Sequence, residues 1–127
     1  MKTLIRLMII SMLMVIASPA YSEAIQIFNC ELEGESTYGD VNAISAKWLK
    51  VAKTVKGGEN LRLFIRHPVA ASTDDIDFKF VLATPDFAEW GAFTDAYEGS
   101  SLADLDDEIE KIAVCNDASL WEGGEIE

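Results

Sequence analysis

The chain has 127 residues, 50% of them hydrophobic, with 22 acidic against 10 basic side chains and a net charge of −12. That length accommodates one domain with a real core and not two. So acidic a chain offers no broad cationic surface for nucleic acid or anionic lipid, and both are excluded as partners.

The first residues have the three parts of a secretory signal. Lys2 and Arg6 give a positive start, and Leu7 to Ala17 is an uncharged run. The run is well short of the ~20 apolar residues that a membrane span needs. Ser18-Pro19-Ala20 then places small residues for cleavage after Ala20, and Ala20-Tyr21-Ser22 allows a second cut after Ser22. Residues 1–22 are therefore expected to be a signal peptide, and the mature protein to be periplasmic or secreted, with no membrane segment left after cleavage. No cysteine follows either cut, which argues against a lipid anchor. Removal leaves 127 less 22, or 105 residues, and moves the charge from −12 to −14, because Lys2 and Arg6 leave and no acid does.

The remaining elements follow one another with short turns, so residues 23–121 are expected to form a single α+β domain. Ala24 to Cys30 is a strand, with Ile25 and Ile27 on one side and Gln26 and Phe28 on the other. Val41 to Lys56 is a helix with Val41, Ile44, Trp48, Val51, Ala52 and Val55 on one arc and four lysines opposite. Gly57-Gly58 ends it. Leu61 to His67 alternates Leu61, Leu63 and Ile65 against Arg62, Phe64 and Arg66, a strand that Pro68 closes. Asp77 to Thr84 alternates Phe78, Phe80 and Leu82 against Lys79, Val81 and Ala83. Pro85-Asp86 opens a helix carrying Phe87, Trp90, Phe93 and Tyr97, which Gly99 breaks. Ser101 to Ala113 is a further helix, with Ser101 and Asp104 spaced as a capping box. Ala118 to Trp121 is a short last strand, and residues 122–127 an acidic flexible tail.

The order β-α-β-β-αα-β predicts a ferredoxin-like split βαβ fold. It has a four-stranded antiparallel sheet with helices on one face and a second crossover made of two helices. In that topology Cys30 and Cys115 fall at the same end of the domain. In an oxidising compartment an isolated pair is expected to be a disulfide, and its spacing fits neither a redox CxxC nor a zinc site. Strict alternation puts Cys30 on the side of Phe28, away from the helices, so a bend near Asn29 or at the strand end is expected.

The sheet face away from the helices would carry Phe28, Phe64 and Val81 within a fringe of Arg62, Arg66 and Lys79. An exposed face should be polar, so a second copy of the chain or a ligand is expected to cover it. The element order, the split crossover and the stretch TPDFAEWGAF (Thr84–Phe93) resemble the dimeric α+β barrel superfamily, which includes antibiotic-biosynthesis-type monooxygenases. The resemblance implies a homodimer packed sheet against sheet, with room for an apolar ligand in some members.

His67 is the single histidine and would need a proton within reach and an orienting partner to act as a base. No GxSxG, HExxH or GxGxxG motif occurs. Asp74-Asp75-Ile76-Asp77 lacks the glycine and terminal Glu of a calcium loop. No catalytic residue, metal or cofactor is assigned. The leading expectation is an exported, acidic, homodimeric module without catalytic activity. It would bind a small apolar or amphipathic ligand through Phe28, Phe64, Arg62, Arg66, His67 and Lys79, or act through protein contacts alone. A cofactor-independent monooxygenase or isomerase working in an inter-sheet cleft, and a structural envelope protein, are the alternatives.

Overall fold

A computed structural model describes residues 22–70 and 76–124. The predicted signal peptide, all but Ser22, lies outside the described residues, as do Asp74, Asp75 and the last three residues of the predicted tail.

The chain runs β1 (Glu23–Leu32), α1 (Tyr38–Ala52), β2 (Arg62–Arg66), β3 (Phe78–Thr84), α2 (Phe87–Tyr97), α3 (Ala103–Glu110) and β4 (Ala113–Gly123). The strands form one sheet in the order β2-β3-β1-β4, and every neighbouring pair is antiparallel. This is the ferredoxin-like split βαβ arrangement, an α+β fold whose second crossover is made of two helices.

Local chemistry explains where the elements start and stop. Thr37 caps α1: its hydroxyl accepts from the Asp40 amide at 3.3 Å, and the Asp40 carboxylate accepts from the Thr37 amide at 2.8 Å. The hydrogen bonds from Thr37 hold the Asp40 carboxyl below its ordinary range. The helix so begins one turn before the expected Val41, and it ends at Ala52. A tight turn then carries the chain through Gly57, whose φ of 82° suits glycine. The expected Ser101–Asp104 capping box does not form. Leu102 is the first flanking residue of α3, and the Ser100 hydroxyl accepts from its amide at 3.2 Å.

The core lies between the sheet and the helices in two clusters. Trp48, Ala52, Val55, Leu61, Leu82, Phe93, Leu102 and Leu105 make the larger, and Cys30, Val41, Phe78 and Ala113 the smaller. Phe28 and Phe80 pack against both and join them.

Strands β2 and β3 take the predicted parity, with Leu63, Ile65, Phe78, Phe80 and Leu82 on the helix side. Strand β1 does not. Its register pairs Phe28 with Phe80 and Cys30 with Phe78, so the even-numbered residues lie under the helices and Ile25 and Ile27 on the open face. Two facts favour this parity. Cys30 is fully buried, and it is directly opposite Cys115, to which it is bonded with S–S 2.04 Å. Gln26, the polar residue forced inward, accepts from the Trp90 indole N–H at 3.3 Å, which offsets the desolvation of its amide.

The bend expected in β1 near Asn29 is absent and not needed, because Cys30 shares the helix side with Phe28; the irregularity lies in the partner strand. The β1–β4 register shifts between Phe28 and Asn29, skipping Asp117, whose φ is 50°. Strand β4 also starts before Ala118 and runs on through Glu122 and Gly123, two residues assigned from sequence to the tail.

Candidate functional site

The sheet has two surfaces of interest, one on each side. On the open face, cross-strand pairing sets Phe64 beside Val81 and Val81 beside Ile27. The adjacent row places Arg62 beside Ala83, Ala83 beside Ile25 and Ile25 beside Trp121. Phe64 is 37% exposed and Trp121 58%. Arg62 and Arg66 flank the Phe64 ring with their guanidinium carbons 5.7 and 5.6 Å from its centroid, within cation–π range. Arg62 is also ion-paired with Glu23 of the same chain. Lys79 pairs with Arg66 across the β2–β3 ladder and extends the cationic fringe.

Two of the sequence-selected residues stand apart from this face. Phe28 is not on this face: it sits under the helices, 6.3 Å from Phe80 in an edge-to-face pair. His67 is exposed and lies with its ring centroid 4.6 Å from that of Tyr38, the first residue of α1. Tyr38 in turn donates its O–H to the Asp77 carbonyl at 3.0 Å. His67 therefore stands at the sheet's end, where the odd residues of β2 turn toward α1. Arg62, Phe64, Arg66 and Lys79 do come together. Asp77, the described member of the acidic turn, accepts from the Leu32 amide at 2.7 Å, a structural task. Among the described residues no group of three or more His, Cys, Asp or Glu could hold a metal ion.

Sequence reasoning missed the second surface. A cleft of about 340 Å³ opens on the helix side, above β1 and β3 and against α1, α2 and α3. Its size falls at the lower end of small-ligand sites. Phe28 and Phe80 form the floor, with Trp48 of α1, Phe93 and Tyr97 of α2 and Ile109 of α3 as walls. The rings contact edge to face in series: Phe28–Phe80, then Phe80–Trp48 at 5.5 Å, Trp48–Phe93 at 6.0 Å and Phe93–Tyr97 at 5.9 Å. At the rim the Tyr97 O–H donates to Asp106 at 2.5 Å. Burial, and then this bond, push the Tyr97 phenol well above its ordinary range, so it keeps its proton. One signal was available: Phe93 and Tyr97 are four apart on α2 and share a helix face.

No family model and no curated protein matches the chain. Among solved structures it is similar to a chlorite dismutase-like protein at 12% identity and a TM-score of 0.40, over 79% of this chain and 42% of that one. The chain thus spans about two fifths of the length of that structure. The fold assignment rests on the strand order and connections themselves.

Proposed function

We propose that this chain is exported and acts as a noncatalytic binding module, a homodimer closed through its open sheet faces, each copy holding a small apolar or amphipathic molecule. The observation that carries the binding role is the helix-side cleft. Its aromatic series is left open rather than filled by side chains, although close packing is the rule for a domain interior. The single histidine is stacked on Tyr38 and is not among the cleft residues.

Export is supported by the leader and by the disulfide, which fits an oxidising compartment. No helix among the described residues is long and apolar enough to cross a membrane. Dimerisation is supported by the open face. Phe64, Ile25, Ile27 and Trp121 make an apolar patch, and its arginine and lysine fringe suits the carboxylate-rich surface of an identical chain.

Native mass spectrometry of protein purified from its own host tests the three claims together. The expected species is a dimer of chains beginning at Tyr21 or Glu23 that retains a small molecule. A ligand-free monomer of full length, recovered from the membrane, overturns the reading. Phe64→Asp is expected to give a folded monomer, seen by sedimentation and circular dichroism, because Phe64 lies outside both core clusters.

A further inference from the structure

The charged lining of the cleft is of one sign. Glu98 and Asp106 contribute carboxylates, and no lysine, arginine or histidine lines it. Neither acid is in an ion pair among the described residues, where the pairs are Lys47–Glu108 and Arg62–Glu23.

The hydroxyls at the rim have already committed their hydrogens, while Gln26, on the β1 side of the cleft, has its carbonyl oxygen taken by the Trp90 indole N–H and keeps its amide hydrogens. Tyr97 donates to Asp106, and the Thr94 hydroxyl donates to the Trp90 carbonyl at 2.9 Å. What faces an incoming molecule at the rim is therefore a set of oxygen lone pairs with two negative charges behind them. The phenol keeps its proton, so the site does not supply a negative charge from Tyr97 and does not lose its donor to Asp106. Deeper in, Phe28, Trp48, Phe80 and Phe93 present aromatic surface. Ring faces attract cations and have no counterpart attraction for anions.

From this distribution we infer that the cleft takes a small organic cation, a protonated amine carried on an apolar or aromatic body. The ammonium sits at the rim by Asp106 and Glu98, and the body lies against Phe28, Trp48, Phe80 and Phe93. An anion would meet two carboxylates with no countercharge. A neutral molecule would gain the apolar contacts and at most a hydrogen bond to a rim oxygen, without the attraction between opposite charges. The inference rests on the cleft being a ligand site, and it adds the class of ligand.

Three probes of nearly equal shape separate the two ideas: tryptamine, a cation; tryptophol, a neutral alcohol; and indole-3-propionate, an anion. Isothermal titration of the full mature protein at neutral pH and low salt is expected to rank tryptamine about tenfold or more above the other two, the size of effect that one close charge pair near a protein surface can give. Raising the salt should weaken tryptamine and leave tryptophol unchanged. In the double variant Asp106→Asn with Glu98→Gln, the preference of tryptamine over tryptophol should shrink to less than about threefold. If tryptophol or indole-3-propionate binds as tightly as tryptamine, the cation assignment is wrong and the cleft stands as a ligand site. If none of the three binds, the ligand-site reading itself fails. The wild-type ranking decides the matter even if the double variant does not fold.

Discussion

Single residues govern two points that are testable by substitution. At Gly57 a Cβ would come within 2.5 Å of the Glu89 carbonyl oxygen and the Phe93 amide nitrogen, and the φ of 82° adds its own strain. Gly57→Ala should therefore cost ~2–4 kcal/mol, measured by urea unfolding. Gly91, inside α2, has no atom within 4 Å of its would-be Cβ. There Gly91→Ala should instead stabilise by ~0.5–1 kcal/mol, because alanine loses less entropy on entering a helix. The second point is Tyr97, whose phenol titrates higher in the fold than in the unfolded chain, chiefly through burial and then through Asp106. Above about pH 10 the unfolded tyrosine ionises while the folded one does not. Stability should then fall with rising pH, and Tyr97→Phe should lessen that fall, as denaturant titrations across pH 8 to 11 would register.

At the level of elements, β1 marks the limit of what periodicity can decide. Strands β2 and β3 were legible because each has one apolar parity and one with cations in it: Leu63 and Ile65 against Arg62 and Arg66, Phe78 and Phe80 against Lys79. In β1 both parities are apolar, Ile25 and Ile27 on one, Ala24, Phe28 and Cys30 on the other. Gln26 tips a sequence reading the wrong way, because its pairing with Trp90 is a contact across 64 residues that no local pattern contains. The cleft was illegible for a similar reason: its lining comes from six elements, brought together only by the completed fold. The corrected parity makes a sharp prediction. Phe28→Ala should cost about 3 kcal/mol, since Phe28 joins both core clusters, and far-ultraviolet circular dichroism in urea would measure it. Had Phe28 shared the open face with Phe64, the same change would leave the monomer's stability nearly untouched.

The whole molecule carries a large excess of negative charge and one covalent link that closes 85 residues of chain. In the loop-entropy account such a link stabilises by ~4 kcal/mol, by removing freedom from the unfolded state. A Cys30→Ala, Cys115→Ala double variant should accordingly unfold at lower denaturant than the oxidised protein, and added reductant should change its midpoint no further. Joining β1 to β4 rather than to a loop also has a local effect: Cys115 belongs to the sheet's last strand, which is fastened to the first along its length and at one bonded pair.

The strand order leaves two borders to the sheet, β2 and β4, and each is ill suited to recruiting a further chain. Strand β2 is only five residues long, begins and ends on arginine, and is separated from Pro68 by His67 alone. Strand β4 is twice as long, but the extra residue at Asp117 breaks its spacing partway along. Short, charged and irregular margins of this kind oppose ribbon-like growth, in which every added molecule exposes a new border. Association through the flat of the sheet ends after one step, because each copy covers the other. The pairing proposed through Trp121 and Phe64 would therefore yield a finite assembly and not fibrils.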